Sequence, residues 1–264
     1  MGRKSHHGPQ LSFSACNEKL EKTAKQLGVH PSEYWAFDLR AGATCLYAKD
    51  CRSTVINGKI KDGPHCQFRC YAATAENRLP CIHKLRDRNT QAIRLACKGG
   101  SIKRVADLLE ANMPPKCRVI RIHTSGDFFN TTYLGGWMAV AKRNPAIRFY
   151  FYTKALPLIQ RYVATHPEGV DLSSGILAPN VRVTASYGGT HDHLIEGLSI
   201  RSVRVIMEES ETRLPIDDDD THAVHSGGSF ALLIHATQPR GSVAAKKWDK
   251  IRRQRGNYAP QKGG

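Results

Sequence analysis

No apolar run in the 264-residue chain approaches the roughly 18 residues needed to cross a membrane. The opening MGRKSHHGPQ has no apolar stretch behind its basic residues, so nothing there reads as an export signal. These absences predict a cytoplasmic protein with no membrane partner. Acidic residues are scarce: 23 Asp and Glu stand against 39 Lys and Arg, a net charge of +16. A surplus of that size points to nucleic acid or another anionic ligand. Cysteine stops at Cys117, and no two cysteines form a C-x2-C knuckle. In reducing surroundings, eight cysteines are better read as metal-binding or catalytic than as a disulfide framework. There is no internal repeat.

With 41% hydrophobic residues and ordinary aromatic content, the chain can bury a substantial core and is not a disordered one. Residues 1–264 read as a single α/β domain. A short helix is predicted over 16–28, ending at Gly28, and a strand over 35–42 (WAFDLRAG). Asn57-Gly58 and Asp62-Gly63-Pro64 mark a small hairpin between Cys51 and Cys66. Helices follow over 84–98 and 101–112, with Ser101 as the N-cap of the second. Strands at 117–127, 147–154, 181–189, 199–210 and 229–237 then alternate with helical segments at 131–145 and 155–166. That rhythm predicts a mostly parallel sheet with crossovers, as a partial or complete (β/α) barrel. The polar stretch 213–228 reads as a loop insertion, and 240–264 as a basic tail.

In a parallel sheet the carboxyl ends of the strands share one face, where ligands bind. Those ends here carry His123, Ser125, Gly126 and Asp127, then Tyr152 and Lys154, then Ser186. As a set they predict a pocket, although Ser125 and Asp127 would serve equally as helix caps. The segment 45–72 is cysteine-rich, with Cys45, Cys51, Cys66 and Cys70 spaced C-x5-C, x14, C-x3-C. Four thiols in a polar loop point to a metal. The wide, irregular spacing suits the separated corners of an iron–sulfur cluster; zinc is the alternative. Lys49, Arg52 and Arg69 would favour the thiolate forms.

CLYAKDC, FRCYAATAENR and RIHTSGDFFNTTYLGGWMAVAKRNPAIRFYFYTKAL, spanning residues 45 to about 156, resemble the phage- and plasmid-borne gene product 88 family. Its members typically show a cysteine-rich start ending in Cys-Tyr-Ala, then Arg-x-His-x-Ser-Gly-Asp-Phe-Phe and a Tyr-Thr-Lys strand end. They are similar to radical S-adenosylmethionine (SAM) proteins, which implies a [4Fe–4S] cluster at the mouth of a radical SAM-like partial barrel. By position the resemblance makes Cys45, Cys51 and Cys70 cluster ligands, Cys66 a fourth, and His123, Ser125, Gly126 and Asp127 the pocket loop. For a phage-encoded chain the location would be the host cytoplasm.

Radical SAM enzymes use C-x3-C-x2-C, and here Cys70 is followed by Tyr-Ala-Ala. Four bound cysteines would leave no iron open to SAM; three would. The leading expectation is therefore a [4Fe–4S] protein with a redox-active or structural cluster beside a pocket. The alternatives are a radical SAM-like enzyme, or a zinc-stabilised nucleic-acid-binding protein. Whether the chain is an enzyme is left open by the residues. For the last reading the tail offers Lys246, Lys247, Lys250, Arg252, Arg253 and Arg255, with Trp248 and Tyr258 for stacking. The acidic run Asp217–Asp220 reads as a solvated loop, and Asp192 of His191-Asp192-His193 as a helix-start residue.

Overall fold

The computed structural model describes residues 10–255. Strand β1 (Phe13–Ala15) leads to helix α1 (Glu18–Gln26), where the Asn17 side chain accepts the Leu20 N–H and Glu18 and Glu21 fill the first turn. After β2 (Tyr34–Phe37) come the hairpin β3 (Ser53–Ile56) and β4 (Lys59–Asp62), turning at Asn57-Gly58. Three helices follow: α2 (Tyr71–Arg78), α3 (Pro80–Cys97) and α4 (Ile102–Ala111), the last capped by Ser101. Then come β5 (Val119–Ile122), α5 (Thr131–Arg143), β6 (Arg148–Thr153) and α6 (Leu156–Thr165). The chain continues through β7 (Ile176–Ala178), β8 (Val181–Ser186), α7 (His193–Gly197) and β9 (Ser202–Ile206). It ends with α8 (Thr221–Val224), β10 (Phe230–Leu233) and α9 (Val243–Arg255).

The fold is a mixed α/β one around a mostly parallel sheet. Its order is β1-β2-β5-β6-β8-β9-β10; the neighbours along this path from β2 to β10 are parallel, and β7 pairs antiparallel with β8 off the path. β1 is antiparallel on one edge, β10 forms the other, and the sheet does not close into a complete barrel. Side chains alternate across it. Phe37, Ile120, Ile122, Phe149, Phe151 and Val183 face the larger core, under α3 to α6. Tyr34, Val119, Tyr150, Val203 and Phe230 face the other way, against α1 and α8. Helices α4 and α5 come together at Gly136, where a Cβ would lie 2.4 Å from Val105 Cγ1. Among the described residues no helix is long and apolar enough to cross a membrane.

Two expectations need correction. The stretch 213–228 is not a solvated insertion: α8 lies within it, Ala223 and Val224 are core residues, and Asp217, Asp219 and Asp220 are buried. Nor is 45–72 one loop, because the hairpin interrupts it and Cys70 stands at the N-terminus of α2.

Candidate functional site

The strand ends do converge on a cavity of about 180 Å³, and the cysteines contribute to its wall. The segment after β2 carries Cys45 and Cys51 and is pinned to the end of β8. Lys49 and Asp50 both donate their N–H groups to Gly188 O at 3.0 Å, and Ala48 bridges Gly189. Asp192 stands at the N-cap position of α7, as expected, but makes no side-chain cap bond; its carboxylate instead accepts the N–H groups of Gly188 at 2.8 Å and Gly189 at 2.9 Å, stiffening that turn. The Cys66–Cys70 turn is fixed twice. Asp50 O accepts the Gln67 N–H at 2.7 Å, while Gln238, beyond β10, accepts the Arg69 N–H and donates to Arg69 O.

Cys45, Cys51 and Cys70 line the cavity together with Gly126, Asp127, Tyr152, Lys154 and Ser186. Cys66 does not: its thiol donates to Phe68 O at 3.1 Å. The three lining thiols stand close enough to feel one another's charge. Burial, then Asp127, then Cys70 and Cys51 hold the Cys45 thiol well above its usual pKa. Burial and Cys51 push Cys70 up to about 11, and burial, with Asp62 and Cys51 adding to it, raises Cys66, so Cys66 also stands within reach of the charge on Cys51. For Cys45, Cys66 and Cys70, burial outweighs the positive charge nearby. Arg69 is committed to Asp62 at 2.5 Å, and Lys49 and Arg52 are exposed to solvent, so burial dominates. Among the described residues, no three His, Cys, Asp or Glu side chains form a group that could hold one metal ion.

The pocket loop is shaped by two acids that the sequence reading missed. Asp38, just past β2, accepts the Thr124 N–H and hydroxyl at 2.7 Å, the Ser125 N–H at 3.1 Å and Arg86 Nη2 at 2.9 Å. Glu76 on α2 accepts the Ala41 N–H at 2.8 Å, Arg40 Nε at 3.2 Å and the Ser125 hydroxyl at 3.3 Å. One buried network therefore ties the Cys45 segment, the Cys70 helix and the 123–127 loop together. Gly126 has φ +87, and a Cβ there would come 2.7 Å from Leu39 Cβ, so the loop can lie this close only as glycine.

Ser125 and Asp127 are not helix caps, since Asn130 caps α5. Asp127 accepts the N–H groups of Phe128 at 2.7 Å and Lys154 at 2.9 Å, and the Thr153 hydroxyl at 2.7 Å. Burial raises its pKa despite these donors. His123 lies at the cavity wall, but its Nε2 meets the Tyr133 hydroxyl at 2.8 Å and its ring packs on Phe128. Burial pushes its pKa down to about 3, so the imidazole is neutral, and its buried Nδ1 has no hydrogen-bond partner among the described residues. Lys154 is buried with Nζ 2.5 Å from the Ser186 hydroxyl; among the described residues no carboxylate forms an ion pair with it, though its charge bears on Asp127. Below it Arg121 pairs with Asp220 and lies 5.2 Å from the centre of the Tyr152 ring. Tyr150 and Tyr152 also donate to Asp220, at 2.9 and 3.3 Å. Arg121 in the otherwise apolar strand VIRI was the signal for this pair: a buried guanidinium demands a carboxylate.

The tail lies apart from the cavity. Lys247 and Lys250 are held by Glu208 at 2.7 and 3.2 Å, and Arg252 by Asp249 at 3.4 Å. Lys246 and Arg253 are exposed, and Trp248 is half-buried. The side chain of Arg255, and Tyr258, lie outside the described residues.

Fold and site together define a mixed α/β protein whose mostly parallel sheet carries a cysteine-rimmed cavity at the carboxyl ends of its strands. The family model for gene product 88 matches residues 11–255, and the chain belongs to that family. It is also similar to the gene 88 protein of Mycobacterium phage L5, at 24% identity over 125 residues. That match covers 41% of this chain and 52% of the relative, so the chain spans about half the length of the curated relative it matches. No solved structure matches.

Proposed function

We propose that the chain binds a [4Fe–4S] cluster through Cys45, Cys51 and Cys70 at the rim of the cavity, with Cys66 outside the ligand set. One observation carries this reading: three thiols from two separate segments line a single cavity, while the fourth is turned to a backbone carbonyl. A single zinc ion needs its ligands packed around one centre, whereas the irons of a cubane are separate corners that accept thiolates spread along a wall. The shared network of Asp38, Glu76, Arg40 and Arg86 supports the reading, because a cluster site must be held rigidly before it is filled. When bound, such a cluster would supply one-electron chemistry, and three cysteine ligands would leave one of its irons without a protein thiolate.

The protein's own part is to receive what enters the cavity. Lys154 and Ser186 offer an ammonium and a hydroxyl to a ligand's anionic group, and Val205, Leu232 and Ile234 give the wall an apolar side. A second reading rests on the open corner: SAM binding there would make the chain a radical SAM-like enzyme on a partial barrel. Anaerobic purification, an absorbance spectrum, and iron, sulfide and zinc assays on one sample test the first reading. A brown protein with about four iron and four sulfide per chain supports it; a colourless protein holding about one zinc refutes it. SAM added to the reduced protein should then alter the electron paramagnetic resonance signal if the second reading holds, and leave it unchanged if it does not.

A further inference from the structure

The amino-terminal end of the sheet carries a second concentration of charge that the cavity does not use. Arg148 opens β6, and Arg182 on the neighbouring β8 is in register with Tyr150, two residues beyond Arg148. Alternation puts both arginines on the sheet face that bears Tyr150 and Tyr152, at the end opposite the cavity. Arg201, just before β9, holds the cover over this end. Its Nε donates to Val183 O at 3.0 Å, Nη1 to His222 O at 3.1 Å and His225 O at 2.5 Å, and Nη2 to Ala223 O at 2.7 Å.

The result is a cluster in which Arg148, Arg182 and His222 are half-buried, Arg201 is buried and His225 is exposed. Arg148, Arg182, Arg201 and His222 all bear electrostatically on His225, whose pKa is lowered first by burial and then by these neighbours. Burial and Arg148 likewise lower Arg182. Among the described residues no carboxylate forms an ion pair with Arg148 or Arg182, while the charge of buried Asp217 bears on Arg201. The nearby acids are occupied: Asp220 by Arg121, Asp219 by Lys22, and Asp217 by the His222 N–H, with its Oδ1 3.8 Å from His222 Nδ1. Arg182 donates only to the carbonyls of Ala178, Pro179 and Val181, and the Arg148 guanidinium makes no hydrogen bond to any described residue. Like charges gathered in partial burial are unfavourable unless an anion joins them.

We propose that this arginine–histidine cluster at the amino ends of β6, β8 and β9 is a phosphate-binding site. Two guanidinium forks match phosphate oxygens, and the Arg201 clamp fixes the histidines beside them. The site does not depend on the cluster reading, because it lies at the other end of the sheet and contains no cysteine.

Isothermal titration of the full chain at constant ionic strength tests it, with inorganic phosphate in one arm and a short single-stranded DNA oligonucleotide in the other. Arg148→Gln/Arg182→Gln should weaken phosphate binding about tenfold or more, the worth of one charge-assisted hydrogen bond, while Lys103→Gln on α4 leaves it unchanged. Oligonucleotide affinity falling in parallel identifies a nucleic-acid backbone as the source of the phosphate; an oligonucleotide that does not bind, or binds both forms equally, identifies a small phosphorylated ligand. As a second readout, phosphate should raise the titration midpoint of the His225 ring protons in nuclear magnetic resonance. If the double variant does not fold, Arg148→Gln alone serves, since Arg148 holds no described partner. Failure of the wild type to bind phosphate, or equal affinity in wild type and variant, would overturn the proposal.

Discussion

At the carboxyl ends of the strands Asp38, Glu76 and Asp220 each meet an arginine, whereas at the amino ends Arg148 and Arg182 meet no carboxylate among the described residues. The first arrangement spends its charge internally. Its ion pairs and hydrogen bonds fix three chain segments around a cavity, so removing one partner strands the other in a poor solvent for charge. The second leaves its charge available. Paired charges there would have built geometry; unpaired ones leave a demand that a ligand can meet. The two ends therefore differ in what a substitution should cost.

The largest effect is expected at Glu76, which joins Arg40, Ala41 and Ser125. Glu76→Ala should destabilise the fold by about 3–5 kcal/mol in urea unfolding, because it leaves buried donors and charge uncompensated. A cost under about 1 kcal/mol would show that the network is not what holds the site.

His123 gives the next effect, through pH. Its folded-state pKa, about 3, lies below the unfolded value, so the unfolded chain alone takes up a proton as pH falls below about 6.5. Its contribution to stability is full above that pH and declines on acidification towards about 3, by about 1.4 kcal/mol per pH unit. Unfolding at several pH values should show that extra slope in the wild type and its loss in His123→Gln; parallel slopes would contradict the assignment of His123 as a buried neutral group. The smallest effect belongs to the other end. Arg148→Gln should change stability by no more than about 0.5 kcal/mol in the absence of phosphate, since the guanidinium has no described partner to lose. A large loss there would erase the contrast between the two ends.

Local pattern made much of the fold readable. Asn57-Gly58, Ser101 and the alternation of apolar strands with helices sufficed for the hairpin, α4 and the parallel sheet. The strand-end set His123 to Asp127, Tyr152, Lys154 and Ser186 does meet at one cavity. Helix α2 escaped notice because its sequence, YAATAENR, follows a cysteine directly, with no side-chain cap to announce it. Asp38 and Glu76 went unread for a different reason. Their partners lie far along the chain, Arg86 48 residues from Asp38 and Ser125 49 from Glu76, and no window reading joins them. Asp220 is the sharper case, because an acidic run resembles a solvated loop until Arg121, 99 residues away, is placed against it. Cys66 and Cys70 are equivalent by spacing alone; the resemblance sets Cys70 with Cys45 and Cys51, and the turn directs the Cys66 thiol to Phe68 O while leaving Cys70 on the cavity wall.

The most direct test of the central claim is iron and sulfide content after anaerobic reconstitution of the wild type, Cys66→Ala and Cys70→Ala side by side. The three-cysteine site predicts about four iron and four sulfide per chain in the wild type and in Cys66→Ala, and loss of both in Cys70→Ala. Loss in Cys66→Ala equal to that in Cys70→Ala would contradict it and make all four cysteines ligands.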